Sequence, residues 1–284
     1  MAHGNAFAFE RGVAVIALGV VLHCFSAIPA SSEACPPEPS ESRAVARIEN
    51  AASFVLDDGT RLRLMSLLPP SGRDLAAPGA SWPAELAARS AVESLLSDRR
   101  IDLAGAGQFR DRYGRRIGHV LLAAPGGRVW LQAALVDGGH ARVAPLPQET
   151  ACLGQLFARE AVARAKRVGL WANPAYTIRP ARETRQLEQL NGTFQLVEGW
   201  VQDVGTSRNE LFLNFGRNWR WDFTAAIDLR RSPEPRDALV ARLKLLKGRL
   251  VRVRGWIEAR NGPFMALAAE DVIEELREGS ASGR

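Results

Sequence analysis

Cysteine is scarce in this sequence, with three among 284 residues. The three form no CxxC pair and no cluster with histidine, which argues against a zinc site. Hydrophobic residues make up 46% of the chain, so a globular protein with a sizeable core is expected. The length is sufficient for two domains of ordinary size.

One apolar run stands out, at residues 12–22. Arg11 precedes it, and small residues follow it as far as Ala34. A positive start, a short apolar core and small residues at the end are typical of a secretory signal peptide, here with cleavage after Ala30 or Ala34. The run is short for a membrane-spanning helix, although an uncleaved anchor is the alternative. We therefore predict a signal peptide at residues 1–34, a periplasmic or secreted protein, and no stable transmembrane domain after cleavage.

The predicted export gives the cysteines a role. Cys24 lies in the signal peptide and would leave with it, so Cys35 and Cys152 would be the remaining pair. In an oxidising compartment such a pair is expected to form a disulfide. Closing so long a loop is worth about 4–5 kcal/mol in the chain-entropy view.

Lysine is as scarce as cysteine, with Lys166, Lys244 and Lys247 alone, so arginine supplies nearly all of the positive charge. The net charge is +6 and the isoelectric point about 9.9. A basic balance favours anionic partners such as nucleic acid or an anionic membrane. Arginine-rich composition also follows from genome base composition, so the charge by itself leaves the function open.

Composition and turn residues divide the chain into segments. We predict a signal peptide at 1–34, a linker at 35–44, a first domain at 45–176, a linker at 177–192, a second domain at 193–277 and a disordered tail at 278–284. The second linker contains Pro180 and a polar run at residues 182–189.

The first domain is predicted to combine short strands with three helices. The strands are expected at 45–48, 54–56, 61–68, 101–103, 115–123, 129–131 and 140–143, and the helices at 83–97, 132–136 and 153–168. Asp58-Gly59 predicts a hairpin turn because this pair tolerates positive φ, and Ser81 is a candidate cap for the first helix. Residues 105–112 are predicted to be a loop.

The second domain shows alternating strand and turn signals. Five strands are expected at 194–204, 210–215, 223–229, 249–257 and 264–267, with a helix at 236–246. A helix between the third and fourth strands is the order of an oligonucleotide-binding (OB) barrel. The predicted fold class is therefore mainly β with helices (α+β).

Three segments carry a resemblance to a known family. They are Asp-Arg-Tyr-Gly-Arg-Arg-Ile-Gly-His-Val at 111–120, the segment 129–143 with its Asp-Gly-Gly-His, and Gly-Leu-Trp at 169–171. Their order and spacing resemble the staphylococcal nuclease (thermonuclease) family over residues 45–171. The resemblance implies a five-stranded OB barrel with three helices, followed here by a second, small OB-like barrel.

The resemblance also implies a reaction, the hydrolysis of phosphodiesters. In that family a divalent cation, usually calcium, is held by carboxylates, a Glu activates water, and two Arg side chains clamp the phosphate. Arg63 matches the first clamp position and Arg115 the second, while Tyr113 matches a tyrosine that lines the nucleotide pocket. Alternatively, Arg63 is an ordinary strand residue and Arg115 holds the Asp111 loop.

The acidic half of the family pattern is missing. Ala52 and Leu68 stand where the family has its metal-binding Asp residues, and Ser71 stands where it has the catalytic Glu. Neither Ala nor Leu can bind calcium, so no metal site and no cofactor are expected. Asp74 is the one nearby carboxylate that could substitute, and calcium becomes relevant only in that case.

Aromatic and basic residues alternate in the second domain. Trp219, Arg220 and Trp221 lie on a predicted loop and could stack on the bases of a single strand. The alternative is that aromatic residues nearby, such as Phe223, serve the barrel core.

Three functions are therefore compared. The favoured hypothesis is a degenerate nuclease that binds single-stranded nucleic acid or another polyanion through Arg63, Arg115 and the second barrel, without hydrolysis. The second is an active extracytoplasmic nuclease with rearranged acids. The third is a non-catalytic scaffold that binds a protein of the cell envelope.

Overall fold

The computed structural model describes Met1 and residues 35–74, 82–96, 100–146 and 151–276, with the backbone alone for residues 106–108. The predicted signal peptide, the cap at Ser81 and the C-terminal tail lie outside these residues. In the part of the chain that is described, no helix has the length and apolarity needed to cross a membrane. The described residues from Cys35 onward belong to one compact unit.

The first half of this unit is built on eight strands and three helices among the described residues. The strands are β1 (Glu41–Asn50), β2 (Ser53–Leu56), β3 (Arg61–Leu64), β4 (Leu67–Leu68), β5 (Arg100–Arg110), β6 (Arg116–Ala124), β7 (Gly127–Trp130) and β8 (Arg142–Val143). The helices are α1 (Pro83–Leu95), α2 (Leu131–Asp137) and α3 (Leu153–Ala165).

Five of these strands close into a barrel. The sheet order is β3-β2-β1-β5-β6-β7. Because β3 also pairs with β6 in parallel, β1, β2, β3, β5 and β6 form a closed ring, and β7 extends the sheet beside β6. Alternation along the strands sends Phe54, Leu62 and Leu64 into the interior, where they are fully buried. The predicted hairpin between β2 and β3 is present, with Gly59 at a φ of 79°.

Two first-domain predictions were wrong at β1 and β5. Residues 105–110 are strand rather than loop, because an irregularity in the β5–β6 register between Ala104 and Phe109 absorbs the glycine-rich stretch. Strand β1 begins at Glu41, inside the predicted linker, because residues 41–44 pair with residues 100–103 of β5.

The second half of the unit is a second barrel. Its strands are β9 (Arg179–Pro180), β10 (Phe194–Trp200), β11 (Asp203–Thr206), β12 (Glu210–Asn214), β13 (Thr224–Asp228), β14 (Leu250–Ala259), β15 (Pro263–Leu267) and β16 (Glu274–Glu275). Its helices are α4 (Thr184–Gln189) and α5 (Arg236–Lys244). Strand β9 and helix α4 fall within residues 177–192, which were predicted to be a linker.

The strand order is β11-β12-β13-β15-β14-β10-β9, and only Val201 and Gln202 separate β10 from β11 in the chain. Strands β13 and β15 are parallel, as β3 and β6 are in the first barrel. The strand order of the second half therefore repeats that of the first barrel, and the predicted α+β class is confirmed.

The predicted disulfide is present between Cys35 and Cys152, whose Cα atoms are 5.5 Å apart. It ties the start of the described chain to the residue before α3. Cys152 is buried in the first barrel's core, and Cys35 packs against the same core.

A buried charge network joins the two barrels. Glu160 of α3 is fully buried and binds Arg254 of β14 at 2.7 Å. Glu160 also accepts a hydrogen bond from the backbone N–H of Val143 at 2.7 Å and from Arg164 at 3.1 Å. Arg254 further binds Glu274. Because desolvated charges stay buried only where partners surround them, this network fixes how the barrels meet.

Candidate functional site

The first-domain residues selected from the sequence lie together in one cleft. A cavity of about 480 Å³ is lined by Arg63, Tyr113, Arg115, Ala52, Leu68, Ser71 and Asp74, among others. The barrel closure explains this arrangement. The parallel β3–β6 pairing sets Arg63 opposite Ile117, two residues after Arg115, and the β2–β3 pairing sets Arg63 opposite Ser53.

Arg115 is held in place by the loop before β6. Its Nε donates to Asp111 at 2.6 Å, and its Nη1 donates to Ser53 at 3.2 Å. The other carboxylate oxygen of Asp111 accepts from the backbone N–H groups of Tyr113 and Arg115. Burial would raise the pKa of Asp111, but the bonds from Arg115 outweigh it and lower the pKa. Asp111 is therefore a charged group that orients Arg115 toward the cleft.

Arg63 is different because it is half-buried and its side chain has no hydrogen bond or ion pair to any of the described residues. Burial lowers its pKa, and the positive charge of Arg115 lowers it further. A desolvated cation beside a second cation is stabilised by an anion placed between them. Arg63 and Arg115 therefore lie in one cleft where an anion between them would be favoured electrostatically.

Tyr113 forms the exposed edge of the cleft, with 62% of its surface accessible. The guanidinium carbons of Arg112 and Arg115 lie 4.9 and 5.4 Å from its ring centroid. Both distances are within the range of cation–π contacts. Most of the Tyr113 side chain nevertheless remains open to solvent at the edge of the cleft.

The carboxylates that line the cleft are engaged elsewhere. Glu49 binds Arg61 at 2.9 Å, and Glu85 accepts from the backbone N–H of Gly72 at 2.9 Å. Asp74 is almost fully buried and binds Arg142 at 2.9 Å, while it also accepts from the hydroxyl of Tyr176. These contacts make Asp74 a structural residue of the fold.

Calcium does not fit this set of donors. The side chains of Ala52 and Leu68 supply no oxygen, and the three carboxylates of the cleft already have partners. In the described part of the chain, no group of three or more His, Cys, Asp or Glu side chains could hold a metal ion.

The second-barrel residues line a different surface. Trp219 and Trp221 are 52% and 67% exposed on the loop between β12 and β13. The guanidinium carbon of Arg220 lies 5.0 Å from the ring centroid of Trp219. Trp219 contributes to a cavity of about 380 Å³ with Phe212, Asn214 and Arg260, and this cavity shares no lining residue with the first cleft. The structure therefore separates the two predicted binding sets.

Trp256 was not predicted to belong to the site. It nevertheless lines the cleft from the side of the second barrel, while most of the other lining residues belong to the first barrel. The sequence held a signal for it. Val251, Val253 and Ile257 of β14 are buried in the second barrel's core, so the alternation sends Trp256 to the outer face. Arg252 and Arg254 share that face, which meets the first barrel.

The family model described as staphylococcal nuclease homologue matches residues 61–173. The match includes Arg63, Tyr113 and Arg115, and it ends before the second barrel. Among curated proteins, none matches the chain. The geometry and the match agree, and residues 61–173 are similar to the staphylococcal nuclease homologue family.

Proposed function

We propose that this chain is an exported, non-catalytic relative of the nucleases that binds single-stranded nucleic acid or another polyanion. One observation carries the proposal. Arg63, Arg115 and Tyr113 share a cleft with Ala52, Leu68 and Ser71, so the phosphate clamp is retained where the metal ligands and the base are replaced. A clamp without metal or base binds phosphate but lacks the groups that activate water.

The charge of the cleft supports binding. Arg63, Arg73 and Arg112 have no ion pair among the described residues, whereas Glu49 and Asp74 are each paired with an arginine. An anion that enters this cleft meets free cations and neutralised acids. Binding should therefore weaken as the salt concentration rises.

The first experiment measures cleavage and binding in parallel. The purified protein is incubated with single-stranded and double-stranded DNA, with calcium or with a chelator, and binding is followed by fluorescence anisotropy between 50 and 300 mM salt. We expect no cleavage and salt-dependent binding. Arg63→Ala should weaken binding and reduce the slope of log K against log salt by about 1.

Arg185→Ala is the matched control, because Arg185 is exposed on α4 and lines neither cavity. Calcium-dependent cleavage that disappears in Arg115→Ala would contradict the proposal and establish an active nuclease. Absence of both cleavage and binding would favour a cell-envelope scaffold.

Export is tested separately. The protein is expressed in a Gram-negative host, and the periplasmic fraction is analysed by mass spectrometry. We expect a mature chain that begins at Ser31 or Cys35. An intact N-terminus in the membrane fraction would support an uncleaved anchor instead.

A further inference from the structure

Trp256 lies where the two barrels face each other, and it is 49% exposed. A second cavity of about 700 Å³ adjoins the first cleft, and the two have five lining residues in common. These are Arg63, Leu68, Arg112, Tyr113 and Trp256. The two cavities are therefore one continuous cleft with a wall from each barrel.

The position of Trp256 is fixed before any ligand arrives. Its backbone pairs with Phe194 on β10, and its ring meets the Phe194 ring edge-on at 5.8 Å between centroids. Two neighbours on the same strand, Arg252 and Arg254, belong to the buried salt bridges of this region. A rigid aromatic ring presents its face at low entropic cost.

The second cavity is also rich in cations. Arg110, Arg112 and Arg231 line it together with Arg63. Its acidic members are Asp111, which is paired with Arg115, and Glu258. A positively charged groove with aromatic faces is the arrangement that binds single strands, since phosphates follow the cations and unpaired bases stack on the rings.

We propose that Trp256 completes the binding site of the first barrel. An unpaired base of a single-stranded nucleic acid stacks on Trp256, and the neighbouring phosphate lies against Arg63 and Arg112. Tyr113 offers a second ring along the same cleft. The inference rests on the proposed function and adds to it the side chain that makes the first-barrel cleft prefer single strands, because bases within a duplex cannot stack on a protein side chain.

The test compares variants in anisotropy titrations of a labelled 12-nucleotide oligo(dT) and of a duplex of equal length. Trp256→Ala should weaken binding of the single strand by about 5- to 150-fold, the range typical of a lost stacking contact. Trp256→Phe should retain most of the affinity. Trp200→Ala is the matched control, since Trp200 is 45% exposed on the same barrel and lines none of these cavities.

Each outcome decides the inference. Wild-type affinity in Trp256→Ala would overturn it and leave the proposed function intact, whereas absence of binding by the wild type would overturn both. Equal affinities of the wild type for duplex and single strand would also overturn it. If Trp256→Ala does not fold, oligo(dT) quenching of tryptophan fluorescence is compared between the wild type and Trp256→Phe. Unchanged quenching in Trp256→Phe would contradict the inference.

Discussion

Arg254 of the second barrel and Glu160 of the first lie 2.7 Å apart, and neither side chain reaches solvent. Burial opposes the charge of Arg254, but Glu160 and Glu274 outweigh it and raise its pKa. Removing one partner leaves the other charge buried and uncompensated. We expect Glu160→Ala to lower the free energy of unfolding by about 3–5 kcal/mol, measured by urea denaturation.

Glu93→Ala is the control for this prediction. Glu93 binds Arg89 at 3.0 Å, but both side chains are about half exposed, so the loss should be below about 1 kcal/mol. Equal losses in the two variants would show that the buried pair does not join the barrels as described.

The buried side chain of His119 should make the stability of the protein depend on pH. The side chain is buried beside Gln132, whose Nε2 lies 3.3 Å from its Nδ1, and burial lowers its pKa from 6.5 to about 4. The unfolded chain therefore binds the proton more readily than the native protein. The stability that depends on neutral His119 is fully present above pH 6.5 and is lost as the pH falls toward 4.

The shift corresponds to about 3 kcal/mol. His119→Gln should remove this contribution, so the wild type should lose about 3 kcal/mol more than the variant between pH 7 and pH 4. Denaturation at several pH values measures the free energy of unfolding of both proteins. The contributions of the carboxylates, which both proteins share, cancel in the difference between the two curves. Parallel curves would contradict the prediction.

The disulfide between Cys35 and Cys152 closes a long loop, with a sequence separation of 117. Its reduction should cost about 4–5 kcal/mol, because the reduced unfolded chain gains conformational freedom. Denaturation with and without dithiothreitol measures this loss. The Cys35→Ala/Cys152→Ala double variant should unfold like the reduced wild type and should not respond to the reductant.

Restoring the missing acids tests the interpretation of the cleft. In Ala52→Asp/Leu68→Asp/Ser71→Glu, three carboxylates would face one another beside Arg63. Three like charges in one cleft, one of them at the buried position of Ala52, should destabilise the protein without metal, and calcium should recover part of that loss through binding to the native state. Thermal unfolding with and without calcium is the measurement, with Ser90→Asp at an exposed position of α1 as the control for added charge. A variant whose unfolding temperature is the same with and without calcium would show that these positions do not form a metal site.

The sequence predicted the two barrels well because their cores depend on local alternation. Leu62 and Leu64 on one strand, or Val251 and Val253 on another, point inward by the period of a strand alone. The second half of β5 was missed because a glycine such as Gly105 indicates a loop, while here it lies in an irregular stretch of β5, with a φ of 63°.

Only some residues and contacts of the site and of the charge network beside it could be predicted from the sequence. Arg63, Arg115 and Tyr113 were found through a short-range motif, and their proximity follows from the barrel. Glu160 and Arg164 are four residues apart, the spacing of an ordinary helix pair, and their side chains are in contact at 3.1 Å. Its second partner, Arg254, lies 94 residues away in the chain, and no local pattern could reveal that contact.

The buried charge network also has a kinetic consequence. Glu160 binds both Arg254 and the backbone of Val143, so the barrels cannot slide or swing without breaking desolvated bonds. The cleft between them therefore has its final width before a ligand arrives. Ligand capture should be a single bimolecular step whose observed rate rises linearly with concentration and shows no plateau from a slow closing motion.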